Sequence, residues 1–169
     1  KVLQMFRTIR DTVGTTPTDE ALGACLDDLL DSKTGDRSGK LYGLGHAVYT
    51  MSDPRAVVIK KYAASLASAK GRLPDLELME RVEARGIEKI MTRKRQTIPM
   101  CANVDLYSGL IYSMLDIPED LYTPLFATAR IAGWCAHRLE ELATGNRIMR
   151  PAYRAMLIKE PYIPVDART

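Results

Sequence analysis

The chain has 169 residues, about the length of a single domain. Apolar residues make up 46% of it and charged residues 27%, a globular composition with enough apolar surface for a core. Lys and Arg outnumber Asp and Glu by 24 to 21, and the resulting charge of +3 is too small to predict nucleic-acid binding. No apolar run is long enough to span a membrane, and no apolar leader predicts a secretory signal.

Cysteine usage excludes two further classes of protein. Cys25, Cys101 and Cys135 are odd in number, lie far apart and form no CxxC pair. This pattern predicts neither a disulfide framework nor a zinc site. We therefore expect no metal, and we expect a reducing, cytoplasmic location.

Apolar residues recur at helical spacing along most of the chain, and strand signals are nearly absent, so the sequence predicts an all-α fold. Thr16-Pro17 and Ser52-Asp53-Pro54 are typical helix starts, and Thr123-Pro124 is expected to cap a long helix. Gly86 is expected to bend or break the helix that contains it. From Arg147 onward, repeated prolines predict an extended tail.

Two irregular stretches interrupt the helical pattern. His46 lies in the first, a glycine-rich loop whose backbone is free to contact a ligand. Asp105 follows the second among apolar neighbours, and it is either a helix cap or a carboxylate placed for proton transfer. Together they suggest an acid–base site. Arg55, Arg130 and Arg150 are either surface ion-pair residues or groups that bind substrate carboxylates.

Four motifs follow one another between residues 41 and 151. The first is Gly43-Leu44-Gly45-His46-Ala47-Val48-Tyr49 with Ser52-Asp53-Pro54-Arg55-Ala56, and the second is Asn103-Val104-Asp105-Leu106-Tyr107-Ser108-Gly109. The third and fourth occupy residues 126–137 and 147–151. In order, they resemble the GxGHxVY…DPRA, NVDFYSG, FAxxRxxGWxAH and RIxRP segments of citrate synthases. The series resembles roughly the C-terminal two-fifths to half of such an enzyme.

The resemblance implies a role for each candidate residue. His46 would polarise the ketone of oxaloacetate, and Asp105 would remove a proton from the methyl group of acetyl-CoA. Arg55, Arg130 and Arg150 would hold carboxylates, the last in the site of a neighbouring subunit. No tightly bound cofactor is implied, because acetyl-CoA is a substrate. The backbone that meets the adenine end of CoA would be that of Leu41, Tyr42, Gly43, Leu44 and Gly45.

The resemblance also implies a division of the chain. Residues 1–112 correspond to the family's small, mobile domain, and residues 113–169 to the last helices and tail, which pack on a large domain. We expect that large domain and a second copy of the protein, in a homodimer, as partners, and neither nucleic acid nor membrane. The family's HGGAN-type motif, whose histidine binds the enolate oxygen, has no counterpart in these residues. We therefore expect the 169 residues alone to be inactive.

Other functions remain open at this stage. A 2-methylcitrate synthase would use propionyl-CoA with the same motifs, because the shape of the pocket accommodates the extra methyl group. A citryl-CoA lyase module shares the motifs but normally belongs to a much longer chain. A non-catalytic CoA-binding or interaction module is the alternative outside enzymes, although a scaffold has no chemical use for His46, Asp105 and three arginines.

Overall fold

The fold was obtained as a computed structural model, which describes residues 1–145 and 163–167. These residues confirm the all-α prediction, and their only strand-like pairing is an isolated antiparallel bridge between Leu44 and Ala102. None of their helices is long and apolar enough to cross a membrane. The helices are α1 (Val2–Val13), α2 (Asp19–Leu30), α3 (Pro54–Ala69), α4 (Leu73–Lys94), α5 (Val104–Met114) and α6 (Tyr122–Thr144).

Residue contacts divide the chain into two compact units, residues 1–126 and 127–169. In the first unit, α1 to α5 enclose one apolar core, and its fully buried side chains include Phe6, Ile9, Leu22, Leu26, Leu78, Met79, Leu106, Tyr107 and Leu110. The second unit contains most of α6, a helix with no buried residue among those described. The family boundary expected at residue 112 stays a prediction, and so does most of the extended tail, which lies outside the described residues.

Two predicted helix starts were wrong in detail. The second helix is capped by Thr18, whose Oγ1 accepts from the Ala21 amide at 3.2 Å, and not by Thr16. Pro17 precedes the helix, and its carbonyl accepts from Arg81 Nη1 at 2.7 Å. Thr123 lies inside α6 and does not cap it, because a short 3-10 turn at Glu119–Leu121 leads directly into the helix.

Gly86 does not break its helix, which contradicts that part of the prediction, because α4 continues through it to Lys94. A Cβ at this position would lie 2.6 Å from Leu44 Cδ1 and 3.2 Å from Leu41 Cδ1. The bare backbone therefore leaves room for the glycine-rich loop of residues 41–45 to lie against α4.

Opposite charges join α2 to α4 along the surface of the first unit. The acids on or just after α2 are Asp19, Asp27 and Asp31, and the bases on α4 are Arg81, Arg85, Lys89 and Arg93. Hydrogen bonds from Arg81, Lys89 and Arg93 are the largest cause that lowers the pKa of Asp19, Asp27 and Asp31, respectively. Because these pairs are exposed, each contributes little to stability by itself.

We expect this charge network to make folding less stable in acid. Because the pKa of each acid is lower when folded, its contribution is complete above the ordinary value of 3.8 and is lost as the pH falls through the folded value. Asp27→Asn should therefore reduce the fall in thermal midpoint between about pH 6 and pH 3. Asp28→Asn is the control, because that carboxylate pairs with Lys33 instead. Equal acid dependence in wild type and Asp27→Asn would contradict the expectation.

The close approach of Gly43 to α5 gives a second prediction. Gly43 has φ +88°, and a Cβ there would lie 2.9 Å from Leu106 Cα, whereas Gly71 has φ +64° and nothing within 4 Å. Gly71→Ala should cost about 1–2 kcal/mol of unfolding free energy, from backbone strain alone. Gly43→Ala should cost about 1–3 kcal/mol more, because backbone must move as well. Denaturant unfolding measures both, and equal losses would refute the steric argument.

Candidate active site

The loop that carries His46 is joined to the segment before α5 by backbone pairing. The Gly45 amide donates to the Cys101 carbonyl at 2.8 Å, and the Asn103 amide donates to the Gly43 carbonyl at 2.9 Å. The Asn103 side-chain Nδ2 adds a bond to the Gly45 carbonyl at 3.0 Å. These bonds place the two irregular stretches, and with them the loop of His46 and the start of the helix of Asp105, next to each other.

The loop fixes which nitrogen of the His46 ring carries the proton. Nδ1 accepts from the backbone amides of Val48 at 2.9 Å and Tyr49 at 3.1 Å. Because this uses the Nδ1 lone pair, the neutral ring carries its hydrogen on Nε2. The half-buried ring also packs against the Tyr49 ring, with centroids 4.6 Å apart. His46 is therefore set to donate from Nε2 to an oxygen of a ligand.

Arg55, in the first turn of α3, presents a second donor beside His46. Its Nη2 lies 3.2 Å from His46 Nε2. Each of these nitrogens carries a hydrogen in the tautomer above, so the pair has donors but no acceptor. Hydrogen bonds to Asp53 raise the pKa of Arg55, and the charge of Asp105 adds a smaller effect in the same direction. A carbonyl or carboxylate oxygen is the group that best satisfies two such donors.

Asp105 does not cap its helix, which settles one of the alternatives left by the sequence. The cap is Asn103, whose Oδ1 accepts from the Asp105 amide at 3.0 Å. Asp105 is the second residue of α5, and its side chain is exposed. No hydrogen bond reaches its carboxylate from the described residues. Such a carboxylate is available to accept a proton from a bound ligand.

The predicted CoA loop is ordered by its own contacts. Leu41 is buried, and Tyr42 donates from its hydroxyl to Asp36 Oδ2 at 2.6 Å. The Gly43 carbonyl and both backbone groups of Gly45 are already bonded to residues 101–103. The amide and the carbonyl of Leu44 bond to none of the described residues, and the same holds for the backbone groups of Leu41. Because Leu41 is buried and Leu44 is only half-buried, the backbone groups of Leu44 are the more available of these two pairs to a ligand.

The structure thus brings His46, Arg55 and Asp105 into one region of the first unit. Arg130 lies on the exposed surface of α6 in the second unit, and Arg150 falls outside the described residues. In the part of the chain that is described, no three His, Cys, Asp or Glu side chains form a candidate metal site.

Sequence reasoning missed two residues that organise this region. The sequence places Asp53 in a helix start and in the first motif without predicting a role for it, yet its carboxylate is buried and accepts from the Arg55 guanidinium at 2.9 and 3.0 Å. Asn103 was recognised only as part of a motif, yet it caps α5 and binds the His46 loop. The signal for Asp53 was an acid followed by Pro54 and Arg55, which spacing alone does not separate from an ordinary exposed cap.

The residues that form this region lie within a segment that is similar to known proteins. The family model described as "Citrate synthase, C-terminal domain" matches residues 1–152. Citrate synthase of Deinococcus radiodurans is 38% identical over 144 residues, which are 85% of this chain and 34% of that protein. Citrate synthase of Acidithiobacillus ferridurans is 38% identical over 171 aligned residues, covering all of this chain and 40% of that protein. The chain thus spans about a third to two fifths of these relatives.

A similar solved structure is citrate synthase from the thermophilic archaeon Thermoplasma acidophilum, in a ternary complex with carboxymethyl coenzyme A and oxaloacetate. It superimposes with a TM-score of 0.62 at 27% sequence identity. The match covers 99% of this chain and 42% of that one.

Proposed function

The chain belongs to the citrate synthase family, and we propose that the complete protein that carries it condenses acetyl-CoA with oxaloacetate to form citrate and CoA. One observation carries the proposal: His46 and Arg55 present two adjacent donors with no acceptor, beside the helix start that holds the Asp105 carboxylate. A keto dicarboxylate supplies oxygens for the donors. A weakly acidic methyl group supplies a proton for the carboxylate.

In the first step, Asp105 accepts a proton from the methyl group of acetyl-CoA. A thioester methyl is a very weak acid, so the enolate oxygen needs a hydrogen-bond donor of its own. The family's HGGAN-type histidine supplies that donor, and these residues contain no such motif. We therefore propose that the donor comes from the large domain.

In the second step, the enolate carbon attacks the ketone carbon of oxaloacetate, and a carbon–carbon bond forms. The ketone's electron pair moves to its oxygen, which receives a hydrogen bond from His46 Nε2 and takes up one proton from solvent. Arg55 offsets the negative charge of a substrate carboxylate and fixes its orientation. We propose that Arg130 and Arg150 likewise bind and orient substrate carboxylates. Water then cleaves the thioester of citryl-CoA, giving citrate and CoA, and Asp105 releases the proton it accepted.

Nothing observed favours the alternative functions. The relatives named above are citrate synthases, which supports acetyl-CoA rather than propionyl-CoA as the substrate. The backbone of residues 41–45, with Leu44 available, is our proposed contact for the adenine end of CoA. We also propose a homodimer, because the matched family places one carboxylate-binding arginine in a neighbouring subunit. The free thiols of Cys25, Cys101 and Cys135 support a cytoplasmic location.

Asp105→Asn tests the proposed base. In the complete protein it should lower kcat for citrate formation by about 10²–10⁴-fold, because the amide cannot accept the methyl proton. Oxaloacetate should still bind, because the donors of His46 and Arg55 are untouched. Asp11→Asn, on an exposed side chain of α1, is the matched control. Turnover is followed by release of free CoA thiol, and an Asp105→Asn variant with wild-type turnover would refute this role.

The 169-residue chain alone should form citrate at least about 10²–10³-fold more slowly than the complete protein, because the enolate donor is missing. Adding separately expressed residues from upstream of this segment should restore part of the rate. Citrate formation by the chain alone at the rate of the complete protein would contradict the proposal that the large domain is required.

A further inference from the structure

A buried carboxylate next to the site takes no direct part in the chemistry above. Asp53 is 1% exposed and, with Asp75 at 7%, is one of the two buried charged residues in the described part of the chain. Its Oδ1 accepts from the backbone amide and the Nε of Arg55, each at 3.0 Å. Its Oδ2 accepts from Arg55 Nη2 at 2.9 Å and from the Val104 amide at 3.0 Å. One side chain thus joins the starts of α3 and α5.

We propose that Asp53 is a positioning residue with two effects. It holds the Arg55 guanidinium beside His46, and it holds the first amide of α5 in place. The donors and the Asp105 carboxylate are therefore in position before substrate binds. The identity of the substrate in this proposal rests on the proposed function. The positioning itself rests on hydrogen bonds within the first unit.

Capping alone does not account for a carboxylate at this place. The caps of α2 and α5 are the neutral residues Thr18 and Asn103, and each accepts one backbone amide. Asp53 needs only its bond to the Arg55 amide to do the same. Burying a charge is costly unless it is paired, and a carboxylate that pairs with two nitrogens of one guanidinium meets that requirement. The extra bonds are therefore directed at Arg55 and at α5.

The pairing also decides which side of Arg55 can meet a ligand. Asp53 occupies the edge formed by Nε and Nη2, so the guanidinium plane cannot rotate away from His46. Nη1 donates to no residue in the described part, and this leaves it available to a substrate carboxylate. The hydrogen bonds from Arg55 lower the pKa of Asp53 to about 2, although burial opposes them. Asp53 therefore stays ionised throughout the physiological pH range.

Asp53→Asn in the complete protein is the test, with Asp75→Asn as the matched control. Asp75, in the first turn of α4, is the other buried acid. It accepts from Arg72 Nε at 2.6 Å and bonds to none of the site residues. In Asp53→Asn, KM for oxaloacetate should rise about 10–100-fold, the effect of losing a charge-assisted pair. KM for acetyl-CoA should change less than about threefold, and Asp75→Asn should leave both constants near their wild-type values.

A double-mutant cycle separates positioning from a general loss of structure. If Asp53 acts on oxaloacetate through Arg55, adding Asp53→Asn to Arg55→Gln should raise KM for oxaloacetate less than about threefold further. Equal rises in the two KM values, or an undiminished effect in the Arg55→Gln background, would overturn the proposal. If Asp53→Asn fails to fold, Asp53→Ser replaces it, because serine keeps a capping oxygen for α3. The same changes in the two KM values are then expected, and the same results would overturn the proposal.

A measurement on the 169-residue chain distinguishes failure of this proposal from failure of the proposed function. Solvent exchange of the Arg55 Nε hydrogen, followed by NMR, should accelerate at least about tenfold in Asp53→Asn and stay unchanged in Asp75→Asn. Unchanged exchange in Asp53→Asn would overturn the positioning role. Absence of citrate formation by the wild-type complete protein, together with accelerated exchange in the variant, would refute the function and uphold the positioning.

Discussion

The site depends on how closely two irregular stretches of chain approach each other. Gly43 lies so near α5 that a methyl group there would meet the Leu106 backbone at 2.9 Å. That approach allows backbone pairing between residues 43–45 and 101–103, and the pairing in turn fixes where the His46 loop begins. A glycine with φ +88° at this point is thus a steric requirement of the site.

The same pairing explains how a short loop can hold the His46 ring in one tautomer. Two successive backbone amides, those of Val48 and Tyr49, converge on Nδ1 because the chain turns tightly after Gly45. Side-chain partners would have to give up conformational entropy to do this, but amides in an already ordered loop have little left to lose. The donor on Nε2 is therefore available without rearrangement, as electrostatic preorganisation requires.

Sequence patterns predicted the all-α fold and named His46, Arg55 and Asp105, since helix periodicity and motif order are local properties. They failed where an outcome depended on contacts between distant segments. Gly86 was expected to break a helix, but its role depends on Leu44, some forty residues away in the chain. Likewise, an exposed cap and a buried one at Asp53 share the same local sequence, and only the packing of α5 against α3 separates them.

The two donors of the site also indicate why it should bind anions without help from a partner protein. His46 Nε2 and Arg55 Nη2 lie 3.2 Å apart, each with a hydrogen and neither with a lone pair to offer. Such a juxtaposition of two donors is unfavourable by itself, and Asp53 maintains it through its charge pair with Arg55. An entering oxygen relieves the repulsion and gains two hydrogen bonds at once. We therefore expect the buried Asp53–Arg55 pair, by holding the two donors together, to favour binding of an anionic carbonyl compound.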